Sequence, residues 1–115
     1  MTNFLISFPA AAMTLTGEAL QRSDTESRKV VAQAKAAGVW VFGAGIDEGV
    51  APELIGADGT VTPGGYPGAP PITGGFAVFN LPTRADAVVW ATRLADACGC
   101  PQELREFLYD PESLP

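Results

Sequence analysis

The sequence predicts an α+β domain, a ferredoxin-like βαββαβ sandwich with an inserted hairpin and a long Pro/Gly loop, its copies paired as a dimeric α+β barrel. Three observations predict it. Short apolar runs that read as strands alternate with two long stretches of helical periodicity. The pattern strand, helix, glycine, strand occurs twice. Between the halves lies a segment, "PGGYPGAPPITGGF" (Pro63–Phe76), in which four prolines and five glycines leave neither helix nor central strand open to the chain.

The elements follow in order. "FLISF" (Phe4–Phe8) is apolar except for Ser7 and ends at Pro9, which reads as a buried strand. Residues 9–15 form a loop. Thr16 opens a helix that runs to Ala37 and stops at Gly38. Leu20, Ser23, Ser27, Val30, Val31, Ala34 and Ala37 share one face of it. Ser23 with Glu26 also fits a capping box, which leaves open a break at that point. "VWVFGAG" (Val39–Gly45) is a second strand, with Val39 and Val41 expected on one face and Trp40 and Phe42 on the other. Asp58-Gly59, between short alternating runs, signals a hairpin.

"GFAVFNL" (Gly75–Leu81) is a further strand. Thr83 caps the second helix, with Asp86 three residues on, and Gly99 stops it. Ala87, Ala91, Leu94 and Cys98 form its apolar stripe, which Val88 and Trp90 widen. "QELREFLY" (Gln102–Tyr109) alternates as a last strand near the sheet edge, and "DPESLP" is a tail.

In such a sandwich both helices cover one sheet face and the other is bare. A solvated face alternates with polar residues, yet the strands at 4–8, 39–42 and 76–81 are apolar on both faces. An apolar patch of this kind calls for a cover. At ~25 cal/mol per Å², burying about 600 Å² contributes on the order of 15 kcal/mol before the costs of association. A second copy, sheet against sheet in a homodimer, is the simplest cover. The alternative is that the 45–74 region folds back over its own sheet.

Composition excludes several function classes. With 115 residues, one domain (1–115) is expected. A net charge of −6 offers no basic patch for nucleic acid or for an anionic membrane surface. No apolar run approaches the ~20 residues of a membrane span. "MTNFLISFPAAAM" lacks the basic start of a signal peptide and breaks at Pro9, so a cytoplasmic location is expected. Cys98 and Cys100, one residue apart, are expected as free thiols. The chain has no histidine, and it carries no zinc, triad or P-loop pattern. No cofactor is expected.

The layout resembles the YCII-related superfamily, more closely its DGPF-domain branch. The residues that carry the resemblance are "KAAG" (Lys35–Gly38), "VWVFGAGI" (Val39–Ile46), the Asp58-Gly59 hairpin, "GGF" (Gly74–Phe76) and "ADAVVWATRL" (Ala85–Leu94). The branch motif, D-G-P-F-A-E-T-K-E, precedes the Gly-Gly-aromatic strand start and falls here on Pro63–Pro71. Its second glycine is Gly64 and its aromatic is Tyr66, whereas the charged positions hold Pro63, Gly68, Pro70 and Pro71. The resemblance implies a small dimeric α+β barrel from a family largely of undefined function, with ring-modifying enzymes among distant relatives. The His–Asp pair proposed in the YCII branch has no counterpart in a chain without histidine.

Candidate site residues come from polar groups set in apolar patterns. Ser7 is a hydroxyl on a buried strand, bonded either to local backbone or to something in a cleft. Ser23 and Ser27 leave small polar gaps in the first helix's apolar stripe. Arg28 is placed to meet an anion, or else pairs with Asp24 four residues before it. Asp47 and Glu48, just past a strand end, offer either a general base or a turn. Tyr66 either packs over a cleft or anchors the loop. These residues fit a binding protein for a small, largely apolar molecule. The alternative is an enzyme performing rearrangement, cyclisation or proton transfer on such a molecule, which the loss of the charged loop residues makes the lesser reading.

Overall fold

The computed structural model describes residues 1–115. Its elements are β1 (Thr2–Phe8), α1 (Gly17–Ala36), β2 (Trp40–Gly45), β3 (Glu53–Ile55), β4 (Val61–Pro63), β5 (Gly75–Leu81), α2 (Arg84–Cys98) and β6 (Glu103–Glu106). The main sheet runs β2-β5-β1-β6, with every neighbouring pair antiparallel. This order splits each strand–helix–strand unit around a central strand. The architecture is α+β and compatible with a ferredoxin-like sandwich.

Both helices pack on one sheet face. Phe4, Ile6, Ala77, Phe79 and Leu81 meet Val30 and Ala34 of α1 and Ala87 and Leu94 of α2. Phe79 lies opposite both Phe4 and Trp40 in the sheet. Its ring meets Trp40 edge-on and lies tilted against Trp90, each at 5.4 Å between centroids. Such pairs add to plain area burial. The two tryptophans are therefore half-buried and packed against the core.

The helix ends follow local chemistry. Thr83 Oγ accepts the Asp86 backbone N–H at 3.1 Å, and Gly99 closes α2 with a left-handed φ of 71°. In α1 the helix is continuous through Ser23 and Glu26. Ser27 Oγ donates to the Asp24 carbonyl, and no capping bond interrupts the ladder. Val88, expected to widen the α2 stripe, is exposed, because the face that meets the sheet is set by Ala87, Leu94 and Cys98. The last strand ends at Glu106, shorter than the alternation suggests. Phe107 N–H still donates to Asn3 O, but β1 begins at Thr2 and offers nothing further to pair with.

One difference has larger consequences. The pairing of β2 with β5 runs from Trp40↔Phe79 to Phe42↔Val78, so Val41 is an extra residue. This bulge breaks the expected alternation. Trp40 turns to the helix face, and Phe42 turns to the opposite one, beside Val78 and Leu5. That outer face is uncovered at its β2 edge, where Phe42 is 62% exposed.

Residues 46–73 do not fold back over this face as a layer. They leave the sheet at Gly45, form the β3–β4 hairpin, and return at Gly74, where the Gly74 carbonyl accepts the Ile46 N–H at 2.8 Å. The hairpin turns at Gly59, φ 85°, with Asp58 Oδ1 accepting the Thr60 N–H. That bond holds the Asp58 carboxyl below the usual carboxylate range. Only Pro71–Thr73 lie against the outer face, around Ser7.

Replacing Phe79 with alanine is expected to cost about 3–5 kcal/mol, most of the stability of a small domain. Thr83→Ala, which removes an exposed cap, is expected to cost about 1 kcal/mol. Urea denaturation followed by circular dichroism measures both; a Phe79→Ala cost no larger than that of Thr83→Ala would contradict the assignment of Phe79 as the centre of the core.

Candidate functional site

The largest cleft, about 710 Å³, lies between α1 and the helix-facing side of β2 and β5. Its floor is made by what is missing. Gly43 and Gly45 on β2, and Gly75 and Ala77 on β5, occupy facing register positions, so at most a methyl rises there. Trp40 closes one end. Its indole lies over Gly43 so closely that a Cβ there would overlap the ring. The Phe8 ring covers Gly75 in the same way. Gly45 has open space above it, the nearest atom to an added Cβ being the Gly74 carbonyl oxygen at 3.7 Å.

The other wall is α1. Leu20, Ser23, Ser27, Val31 and Lys35 recur at helical spacing along the cleft, with Asp24 and Arg28 beside them. Ser23 is 6% exposed, and its hydroxyl makes no hydrogen bond within the protein. No buried side-chain polar atom is sealed off without a partner, so this hydroxyl opens into the cleft. Arg28 Nε meets Asp24 Oδ2 at 3.2 Å with both side chains largely exposed. Such a pair is worth little and gives way readily to another anion. The result is an apolar hollow with one deep hydroxyl and a charged rim, in the size range of small-molecule sites.

Cys98 and Gln102 line the back of this cleft. Both cysteines are free and buried. Burial, helped by the neighbouring Cys100, pushes the Cys98 thiol up, and burial alone raises Cys100.

The sequence candidates fall in three places. Ser27 and Arg28 line the cleft. Ser7 is on the opposite sheet face, 6% exposed, in a separate hollow of about 290 Å³ with Ile72, Phe76 and Arg105. Asp47, Glu48 and Tyr66 are exposed in the 46–73 segment and line neither hollow. Asp47 Oδ1 accepts the Gly49 N–H at 2.9 Å, which makes a turn. Of the Pro/Gly segment only Gly75 and Phe76, already part of β5, line the main cleft. What the sequence reading missed is the glycine floor. The signal was present: Gly43 and Gly45 alternate on one face of a strand, as do Gly75 and Ala77.

Neither a scan of protein-family models nor a search of curated proteins returns a match for the chain.

Raised thiol pKa values favour the neutral form in the folded state. Their contribution to stability is complete below the ordinary thiol range and is lost as pH rises through the raised values. At pH 8, iodoacetamide is expected to modify Cys98 and Cys100 at least ~10-fold more slowly than in urea-unfolded protein. Equal rates, read by mass spectrometry, would contradict their burial.

Proposed function

We propose that this chain binds a small, largely apolar molecule carrying one anionic group in the cleft between α1 and the β2–β5 floor. The observation that carries the reading is the glycine floor, open above Gly45, faced by the Ser23 hydroxyl, which has no partner within the protein and opens into the cleft. A packed core avoids such a void. A cleft of this volume, apolar within and polar at one point, is what a ligand needs for affinity and orientation. Arg28 and Lys35 at the rim supply the cations that would meet a carboxylate. Asp24 is the only carboxylate among the lining residues and is already paired with Arg28, so binding is favoured over acid–base catalysis.

The chain is further proposed to be a YCII-related, DGPF-like protein acting in the cytoplasm as a homodimer, its sheets facing each other as a dimeric α+β barrel. The free cysteines fit a reducing compartment. The order of elements fits the family layout, and the apolar outer face around Leu5, Phe42, Phe76 and Val78 supplies the surface for the second sheet.

Isothermal titration with 2-naphthoate and with naphthalene tests the binding site. Wild type is expected to bind both. Gly45→Leu, which fills the open floor without a backbone clash, is expected to abolish binding of both. Arg28→Ala is expected to weaken 2-naphthoate about 5-fold, a loss of roughly 1 kcal/mol, and to leave naphthalene unchanged. Unaltered binding to Gly45→Leu would place the ligand elsewhere.

A further inference from the structure

The segment 46–72 holds the β3–β4 hairpin yet contains no buried residue. Fixing a backbone costs about 1–2 kcal/mol per residue, and an isolated two-stranded hairpin is marginal in water. Its main-chain bonds are internal to the segment apart from the one at its base, Ile46 to Gly74. One hairpin face presents Ile55 and Val61, paired in register and 65% and 51% exposed, beside the Glu53–Pro63 pair. An arm of this kind is stable only against another surface.

The surface it meets can be sized. A compact chain of this mass exposes roughly 5,900 Å²; this one exposes 7949 Å². The excess of about 2,000 Å² is more than one partner's share of a standard interface and matches the share in a large obligate one. The radius of gyration is 15.9 Å, against about 13 Å for a compact chain of this length. The extents, 43 × 41 × 21 Å, are those of a slab two layers thick with the arm reaching out beside it. Charge is unevenly divided, −4 on the arm and −2 on the body, where nine acidic residues accompany the basic ones. The arm carries Asp47, Glu48, Glu53 and Asp58 and no basic residue, while all seven lysines and arginines lie on the body.

We infer that the 46–72 arm is exchanged between two copies of this chain, each laying its Ile55–Val61 face on the body of the other. A second copy satisfies every requirement at once. It brings basic side chains for the acidic arm, exposed apolar side chains such as Val41 and Phe42 at the β2 edge, and a two-fold arrangement in which both surplus areas are buried together. This rests on the proposed homodimer but adds to it, because sheet contact alone would leave the arms in solvent.

The test is sedimentation equilibrium of wild type, of Ile55→Asp/Val61→Asp and of Phe42→Asp, with circular dichroism to confirm folding. The arm substitutions are at exposed positions and leave the core untouched. Wild type is expected to be a dimer, and the arm variant to dissociate at least ~100-fold more readily. Hydrogen exchange at the Thr60 and Gly64 amides of wild type is expected to be slow, and at least ~10-fold faster in the arm variant or in monomeric Phe42→Asp. A wild-type dimer whose arm variant associates equally well, with unchanged exchange, overturns the arm exchange and leaves the sheet-to-sheet dimer standing. A wild-type monomer of 11.9 kDa overturns both and assigns the arm to a different protein.

Discussion

The extra residue at Val41 is the constraint on which the core, the cleft and the outer face all depend. A regular β2 would keep Trp40 and Phe42 on the same side of the sheet. The bulge separates them. Trp40 then meets Phe79 edge-on and completes the aromatic row that joins the sheet to α2 through Trp90. Its indole covers Gly43, which leaves no room for a side chain there. Beyond the indole the floor is open above Gly45, and the Phe8 ring covers Gly75. Phe42, turned the other way, adds to the apolar outer face. One inserted residue thus supplies the end wall of the cleft, requires the first glycine of its floor, and exposes a phenylalanine on the opposite surface.

The cleft and the arm are consequences of how little this chain buries. Eleven apolar residues form the buried core, and the small side chains Ala34, Ala77 and Ala87 are among them. Small residues let α1 and α2 approach the centre of the sheet closely, around Phe4 and Phe79. Toward the β2–β5 end the helix stripe changes to Ser23 and Ser27 and the strands change to glycine, so the layers part. The space is therefore encoded on both walls, by serine on the helix and by glycine on the sheet. The outer face differs in kind: Leu5, Phe76 and Val78 are set beside an Asn3–Asn80 side-chain hydrogen bond at 2.9 Å and an Arg105–Glu103 ion pair, so polar groups flank its apolar centre.

Much of the fold was legible because each element carries its own local signal. Gly38 and Gly99 stop the helices, Thr83 caps the second, Asp58-Gly59 turns the hairpin, and Pro9 ends the first strand. What was not legible depended on pairing between distant residues. The bulge at Val41 exists only relative to β5, so alternation along β2 alone assigned Trp40 and Phe42 to one face. The end of β6 was set by where β1 begins. The candidate site was half legible: Ser27 and Arg28 lie on the cleft and Ser23 was read as a gap, but the glycine floor needs β2 beside β5 to become a surface. Asp47, Glu48 and Tyr66 drew attention by their chemistry, and they belong to the arm.

The central claim is that the glycine-floored cleft is the ligand site. Titration of ¹⁵N-labelled protein with 2-naphthoate, followed by amide chemical shifts, tests it most directly. The account predicts saturable shifts at Ser23, Ser27, Gly43 and Gly45 on a common binding curve, with Ser7 and Val78 on the outer face unmoved. Shifts confined to the outer face, or none at millimolar 2-naphthoate, would contradict it.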